Sequence, residues 1–180
     1  MHSNGVIYAD LKPSTVLVNE YNTVKLSDFG LARKTTDYQT NVGYPLGKTG
    51  TPFYMAPELF EDNPVYSFAS DLWSFGCVLF ELATGKPPFY SKSLNQHVRM
   101  LLSEPIPIGE LPRGSKLASL IEGLLEKDPA KRLRFEEVIR HPFWDGCEEH
   151  LEEMARMKIP EEPQFNEYLA SRGIDPIVHK

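Results

Sequence analysis

Tyr8-Ala9-Asp10-Leu11-Lys12-Pro13-Ser14-Thr15 is the stretch on which the reading of this chain turns. It sets a carboxylate and an ammonium two residues apart on what reads as a loop. Residues 16–18 (Val-Leu-Val) and 24–26 (Val-Lys-Leu) have strand character and are joined by a polar turn at Asn19 to Asn22. A second carboxylate, Asp28, then stands just before Phe29 and Gly30. Two acids presented on loops beside a small hairpin suit proton acceptance at one and metal coordination at the other. The first stretch taken alone reads equally as a surface turn, since Asp, Lys, Pro and Ser are all common turn residues.

The 180 residues suffice for one domain with a real core. At 41% hydrophobic and 24% charged residues, the composition is that of a globular protein rather than a disordered one. The net charge of −6 is uneven. Asp145 to Lys180 carries nine acids and four bases, so −5 of it lies there and the body is nearly neutral. No basic stripe suggests a nucleic-acid surface. Cys77 and Cys147 make no disulfide framework, and Cys77, in an apolar helical run, is expected to be a buried free thiol. Met1 to Asp10 lacks the apolar core of a signal peptide, and the run Phe75 to Leu82, broken by Glu81, is too short to span a bilayer. The expectation is a reduced, cytoplasmic protein without membrane or nucleic-acid partners.

From Arg33 to Gly50 the chain is polar, rich in Thr, Tyr and Gly, and without helical or strand period, which predicts a long functional loop. Ser67 to Thr84 is apolar nearly all round (Leu72, Trp73, Phe75, Val78, Leu79, Phe80, Leu82) and is expected to be the buried axis, ended by Gly85 and Pro87-Pro88. Leu94, Val98, Leu101 and Leu102 give a second amphipathic face; Leu117, Leu120, Ile121, Leu124 and Leu125 a third. A short helix is expected over Arg134 to Arg140, and an acidic one around Glu148 to Met157.

Asp10-Leu11-Lys12-Pro13, Asp28-Phe29-Gly30 and Ala56-Pro57-Glu58, in this order and spacing, resemble the protein kinases. Gly50-Thr51-Pro52, Asp71-Leu72-Trp73-Ser74-Phe75-Gly76 and Asp128-Pro129-Ala130-Lys131-Arg132 support the match, which covers about residues 1–144 and leaves 145–180 as an acidic helix and tail. The wording is most similar to the Fused/Unc-51-like branch, including its Runkel-type and Unc-51-like-4-type members. The resemblance implies a mainly α C-terminal kinase lobe with one or two short hairpins at the catalytic loop. Asp10 would accept or orient the proton of the substrate hydroxyl, and Lys12 would meet the transferring phosphate of ATP. Asp28 would bind Mg²⁺, with Gly30 supplying backbone freedom. Thr51 would touch Asp10 and Lys12 and favour Ser/Thr acceptors. Glu58 and Arg132 would pair to anchor the substrate-binding segment, and Asp71 would hold the catalytic loop from the buried helix. A Runkel-type relative further implies a long repeat-containing C-terminal region, cytoskeletal association and microtubule-related roles.

Three departures qualify this. The family's His-Arg-Asp reads Tyr8-Ala9-Asp10, so a phosphate on Thr35, Thr36, Tyr38, Thr40, Tyr44 or Thr49 would lack its usual cationic partner, while Tyr8 still offers an aromatic body to Phe29. The family's second Mg²⁺ ligand, an asparagine, is replaced by Thr15, whose hydroxyl is a shorter and weaker ligand. The Gly-rich loop, strand lysine and helix glutamate are not among these residues, so the chain reads as a fragment presenting half a nucleotide site and is expected to be inactive by itself. Two functions remain open: the catalytic lobe of a serine/threonine kinase using ATP and Mg²⁺, or a pseudokinase scaffold that binds protein partners, with or without nucleotide. His2, His97, His141, His150 and His179 show no metal-ligand spacing, and His141 beside Pro142 reads as packing.

Overall fold

Ser67 starts the longest helix. Its hydroxyl accepts the Ser70 amide, and the Ser70 hydroxyl accepts the Ser67 amide, so two otherwise orphaned donors are satisfied reciprocally. The helix, α1, runs Phe68–Thr84 and ends where Gly85 adopts φ 81° and donates its N–H to the Glu81 carbonyl. The computed structural model describes residues 1–20, 23–34, 52–62 and 64–147. The expected acidic helix at 148–157 lies outside them, as does most of the 33–50 loop.

Among the described residues the chain is mainly helical, as its periodicity predicts. After α1 come α2 (Leu94–Ser103), α3 (Lys116–Leu124) and the short α4 (Phe135–Val138). Ser93 and Ser115 cap α2 and α3 with their hydroxyls. Two small antiparallel sheets precede them. β2 (Val16–Val18) pairs with β3 (Val24–Leu26) in the hairpin register Val16↔Leu26, Leu17↔Lys25, Val18↔Val24. β1 (Val6–Ile7) pairs with β4 (Arg33–Lys34). The sequence reading placed Arg33 and Lys34 in loop; a two-residue polar strand has no period of its own and forms only because Val6–Ile7 offers it backbone partners.

The core gathers on α1. Trp73, Cys77 and Phe80 are fully buried with Ile121 and Leu125 of the α3 region, Phe89, Leu101 and Ala56. Trp73 stacks parallel to Phe89 at 6.4 Å. α1 and α3 approach closely at Gly76, where an added Cβ would lie 2.8 Å from Leu124 Cβ. Cys77 is a buried free thiol, and burial pushes its pKa well above the ordinary value. Three apolar positions differ from expectation. Leu82 on α1 is 75% exposed, and α2 turns His97 and Leu101 inward, leaving Leu94 and Leu102 half-exposed. Hydropathy favours a leucine over a histidine at an inward position, and it was this histidine that the pattern hid.

The chain divides into two compact units, Met1–Phe143 and Trp144–Lys180. All sites below belong to the first. No helix among the described residues is long and apolar enough to cross a membrane.

Candidate active site

Asp71, in the first turn of α1, supports the loop from below. Its Oδ2 accepts the Tyr8 amide at 2.7 Å and Oδ1 accepts the Ala9 amide at 2.8 Å. His2 Nε2 completes the set at 2.8 Å from Oδ2 and is itself packed against Phe68 and Phe135. A buried carboxylate spending its lone pairs on main-chain donors fixes that backbone in place. It also holds Ala9 in the left-handed region, at φ 66°, which a residue with a Cβ rarely adopts. Backbone strain of this kind concentrates at functional sites.

Above that support, Asp10 and Lys12 face one another. Lys12 Nζ lies 3.0 and 2.8 Å from the two Asp10 oxygens, with both side chains about a quarter exposed. The pair is therefore formed but open to solvent and to a ligand. Beside it, Ala9, Asp10, Leu11, Lys12, Tyr54, Met55, Tyr66 and Ser74 line a cavity of about 30 Å³, room for a water-sized group. Ser74 on α1 donates to the Tyr54 carbonyl, and the Tyr54 hydroxyl donates to Glu81, so the cavity's far wall is anchored to the same helix as its floor.

Thr15 is buried at 3% exposure, and its hydroxyl is committed inward. It accepts the Lys12 amide at 3.2 Å and reaches the Lys12 and Asp10 carbonyls at 2.9 and 3.2 Å. The Thr15 carbonyl in turn accepts the Ser27 amide at 2.9 Å. Ser27 precedes Asp28, and its carbonyl also accepts the Tyr8 hydroxyl, so two bonds tie the second acid to the first loop. Burial, with the Asp10 and Asp28 charges adding to it, raises the Tyr8 pKa and keeps that hydroxyl a donor. The Tyr8 ring meets Phe29 edge-on at 5.4 Å, the contact the sequence anticipated.

Asp28 itself is exposed, at φ 59°. Its Oδ1 accepts the Gly30 amide at 3.3 Å. The residue with unusual backbone is thus Asp28, and Gly30 is constrained differently: a Cβ there would stand 3.2 Å from Asp28 Oδ1. Among the described residues no cluster of three or more acidic, His or Cys side chains gathers to hold a metal. A single open carboxylate still fits Mg²⁺, which is commonly held by one or two carboxylates with substrate phosphates and water. The Thr15 hydroxyl is engaged with the loop's own backbone, which leaves its oxygen one lone pair.

Glu58 and Arg132 lie outside the Asp10–Asp28 loops. Arg132, fully buried, forms a two-pronged pair with Glu58 at 2.7 and 3.0 Å and donates further to the Ala69, Glu126 and Lys127 carbonyls. It joins the Pro57–Phe60 turn to the start of α1 and the end of α3. Thr51 falls outside the described residues. Sequence reasoning passed over His2, which it grouped with unconnected histidines. Its partner lies 69 residues away, and no local pattern signals that. It also passed over the hairpin's exposed apolar residues: Leu17, Val18 and Val24 are each more than half exposed.

The protein kinase domain model matches residues 1–144. The chain is 43% identical over 169 residues to the serine/threonine-protein kinase RUNKEL of Arabidopsis thaliana, covering 94% of this chain and 12% of that protein. It is 40% identical over 148 residues to serine/threonine-protein kinase 36 of Mus musculus, covering 81% and 11%. The serine/threonine-protein kinase fused of Drosophila melanogaster is 40% identical over 146 residues, covering 81% and 18%. The chain therefore spans less than a fifth of the length of each of these relatives. With an acid–lysine loop pinned from the buried helix, a second acid ahead of Phe29-Gly30, and a domain model accounting for four-fifths of its length, the chain belongs to the protein kinase family, with the likeness to its Fused-type members that the motif wording suggested.

Proposed function

We propose that this chain forms the acceptor-side half of a serine/threonine protein kinase, which in its complete form transfers the terminal phosphate of ATP to a protein hydroxyl. The observation that carries the reading is the solvent-open Asp10–Lys12 pair on a loop whose amides are held by Asp71. In the reaction, an acceptor Ser or Thr hydroxyl enters beside Asp10, with its chain seated along Pro52–Phe60. The hydroxyl oxygen forms the new bond to phosphorus as the bond to the ADP oxygen breaks, and the hydroxyl proton passes to an Asp10 carboxylate oxygen. Lys12 turns from Asp10 to the phosphoryl oxygens, where its charge offsets theirs. Asp28 would hold Mg²⁺, which supplies charge neutralisation on the nucleotide phosphates. The exposed side chain of Leu17 on the hairpin suits the flat side of the base.

A pseudokinase scaffold is the second reading, and the inward turn of the Thr15 hydroxyl favours it, because a short hydroxyl bonded to its own loop is a poorer second metal ligand than the family's asparagine. Cytoskeletal partners and a cytoplasmic location are proposals that rest on the Fused-type likeness alone. Phosphate transfer to a protein acceptor, measured on the chain and on any longer natural form that contains it, separates the two. The kinase reading expects Mg²⁺-dependent transfer in the longer form that Asp10→Asn abolishes. Transfer no greater than in the Asp10→Asn variant, together with nucleotide-induced thermal stabilisation indifferent to Mg²⁺, would establish the scaffold instead.

A further inference from the structure

The Tyr54 carbonyl has no local donor of the usual kind. In a tight 3-10 turn such as Pro52–Tyr54, a carbonyl is met by the amide three residues on. For Tyr54 that residue is Pro57, which has no N–H. α1 supplies the donor instead. The Ser74 hydroxyl lies 2.7 Å from the Tyr54 carbonyl and 3.2 Å from the Ser70 carbonyl. A hydroxyl has one proton, and the shorter distance gives it to Tyr54. The Ser70 carbonyl does not need it, because the helix pattern already brings it the Ser74 amide. The same helix holds Tyr54 at its other end, where the phenol donates to Glu81 at 2.7 Å. Burial and the Glu81 carboxylate raise the phenol's pKa, so it remains a donor. Ser74 and Glu81 stand two turns apart, about 10 Å along the axis, so Tyr54 lies along α1 and is fixed at both ends.

We propose that Ser74 is a positioning residue for the protein acceptor, setting the distance of Pro52–Met55 from Asp10 through the Tyr54 carbonyl. The proposal rests on the kinase reading for what the segment receives, but not for the coupling itself. Ser74, Tyr54 and Met55 wall the same cavity of about 30 Å³ as Asp10 and Lys12. The opposite wall, the loop at Ala9–Lys12, is hung from α1 by Asp71, which takes the Tyr8 and Ala9 amides. Asp71 and Ser74 are three residues apart and therefore neighbours on one face of the helix. One carries the catalytic loop and the other the docking segment. Between them α1 is rigidly seated, with Trp73 and Cys77 fully buried. The gap that an acceptor hydroxyl must enter is thus referred to two adjacent side chains on one fixed element. Without the Ser74 hydroxyl, the tie that remains on Tyr54 is the phenol bond to Glu81, two turns farther along the helix.

Backbone NMR of the full chain reads the coupling without any assay of activity. In Ser74→Ala the Tyr54 carbonyl carbon is expected to move upfield as its hydrogen bond is lost. The Met55 amide belongs to the same peptide group and donates to the Pro52 carbonyl, so its protection from exchange should fall several-fold while α3 amides stay unchanged. Thr84→Ala is the matched control, because the Thr84 hydroxyl is spent on the Phe80 and Lys86 carbonyls. Both signals should there remain those of the parent. In a longer natural form that transfers phosphate, Ser74→Ala should lower kcat/KM for the protein acceptor about tenfold and leave KM for ATP within about twofold. A general loosening of the fold would move the acceptor and nucleotide constants together. Unchanged Tyr54 and Met55 signals in Ser74→Ala overturn the proposal, and so does an acceptor kcat/KM no lower than in Thr84→Ala. If the longer form with Ser74 intact transfers no phosphate, the kinase reading falls instead, and the resonances decide whether Ser74 holds the segment.

Discussion

The strain at Ala9 shows how much of this site is decided one residue at a time. A side chain in the left-handed region costs about 1–2 kcal/mol, and Asp71 offsets this at Ala9 with a charge-assisted bond to its amide. Asp28 adopts the same region more cheaply, because a short polar side chain can bond locally, here to the Gly30 amide. Ala9→Gly should therefore relieve strain. Against that gain stands about 0.4–1 kcal/mol of extra unfolded-state freedom. The net expectation is a stabilisation of roughly 0.5 kcal/mol, read as a higher urea midpoint with unchanged slope. Ala83→Gly, on the exposed side of α1, is the contrast and should destabilise by up to about 1 kcal/mol. A loss at Ala9→Gly as large as at Ala83→Gly would mean that the strain is not felt.

At the scale of elements, one arginine does what no helix pair does alone. The five N–H groups of Arg132 reach Glu58, Ala69, Glu126 and Lys127, and its guanidinium lies 5.1 Å from the Trp73 ring centre. Arg132→Lys keeps the charge but has three donors for these acceptors and no planar face for the indole. Removing one partner of a buried pair costs about 3–5 kcal/mol, so Arg132→Lys should lose around 3 kcal/mol in urea unfolding. Glu58→Gln, still able to accept, should lose about half as much. Near-equal, sub-1 kcal/mol losses would reduce the pair to a surface contact. The elements that Arg132 joins were largely legible beforehand: α1 and α3 announce themselves by apolar spacing, by serine caps and by Gly85. What periodicity could not give were features made by distant partners. Arg33–Lys34 is a strand only beside Val6–Ile7, and α2 is rotated because His97 finds Phe89. At the site, motif spacing picked out Asp10, Lys12, Asp28 and Asp71. It said nothing of the inward turn of the Thr15 hydroxyl, which depends on the local fold of Lys12–Thr15 rather than on residue type.

Along the sequence the net charge is gathered near one end, while the described residues of the first unit include exposed apolar side chains. Residues 1–144 hold 15 basic and 16 acidic side chains, a net −1, while Asp145–Lys180 holds the other −5. The first unit exposes Leu17, Val18, Val24 and Phe29 by half or more. It also opens a trough of about 260 Å³ lined largely by Met1, Leu26, Leu72, Phe75, Phe135 and Val138. A nearly neutral body with such surface is prone to associate, and net charge is the property that opposes this. The four glutamates Glu148, Glu149, Glu152 and Glu153 supply much of it, and replacing them all with Gln changes the total from −6 to −2. The expected result at pH 7 and low salt is a several-fold loss of solubility, since net charge sets the repulsion between molecules. Raising ionic strength to about 0.5 M shortens the screening length to a few ångströms and should bring variant and parent together. Light scattering against concentration reads both effects. If the variant matches the parent at low salt, the acidic segment does not serve solubility, and the apolar surfaces of the first unit are not what limits it.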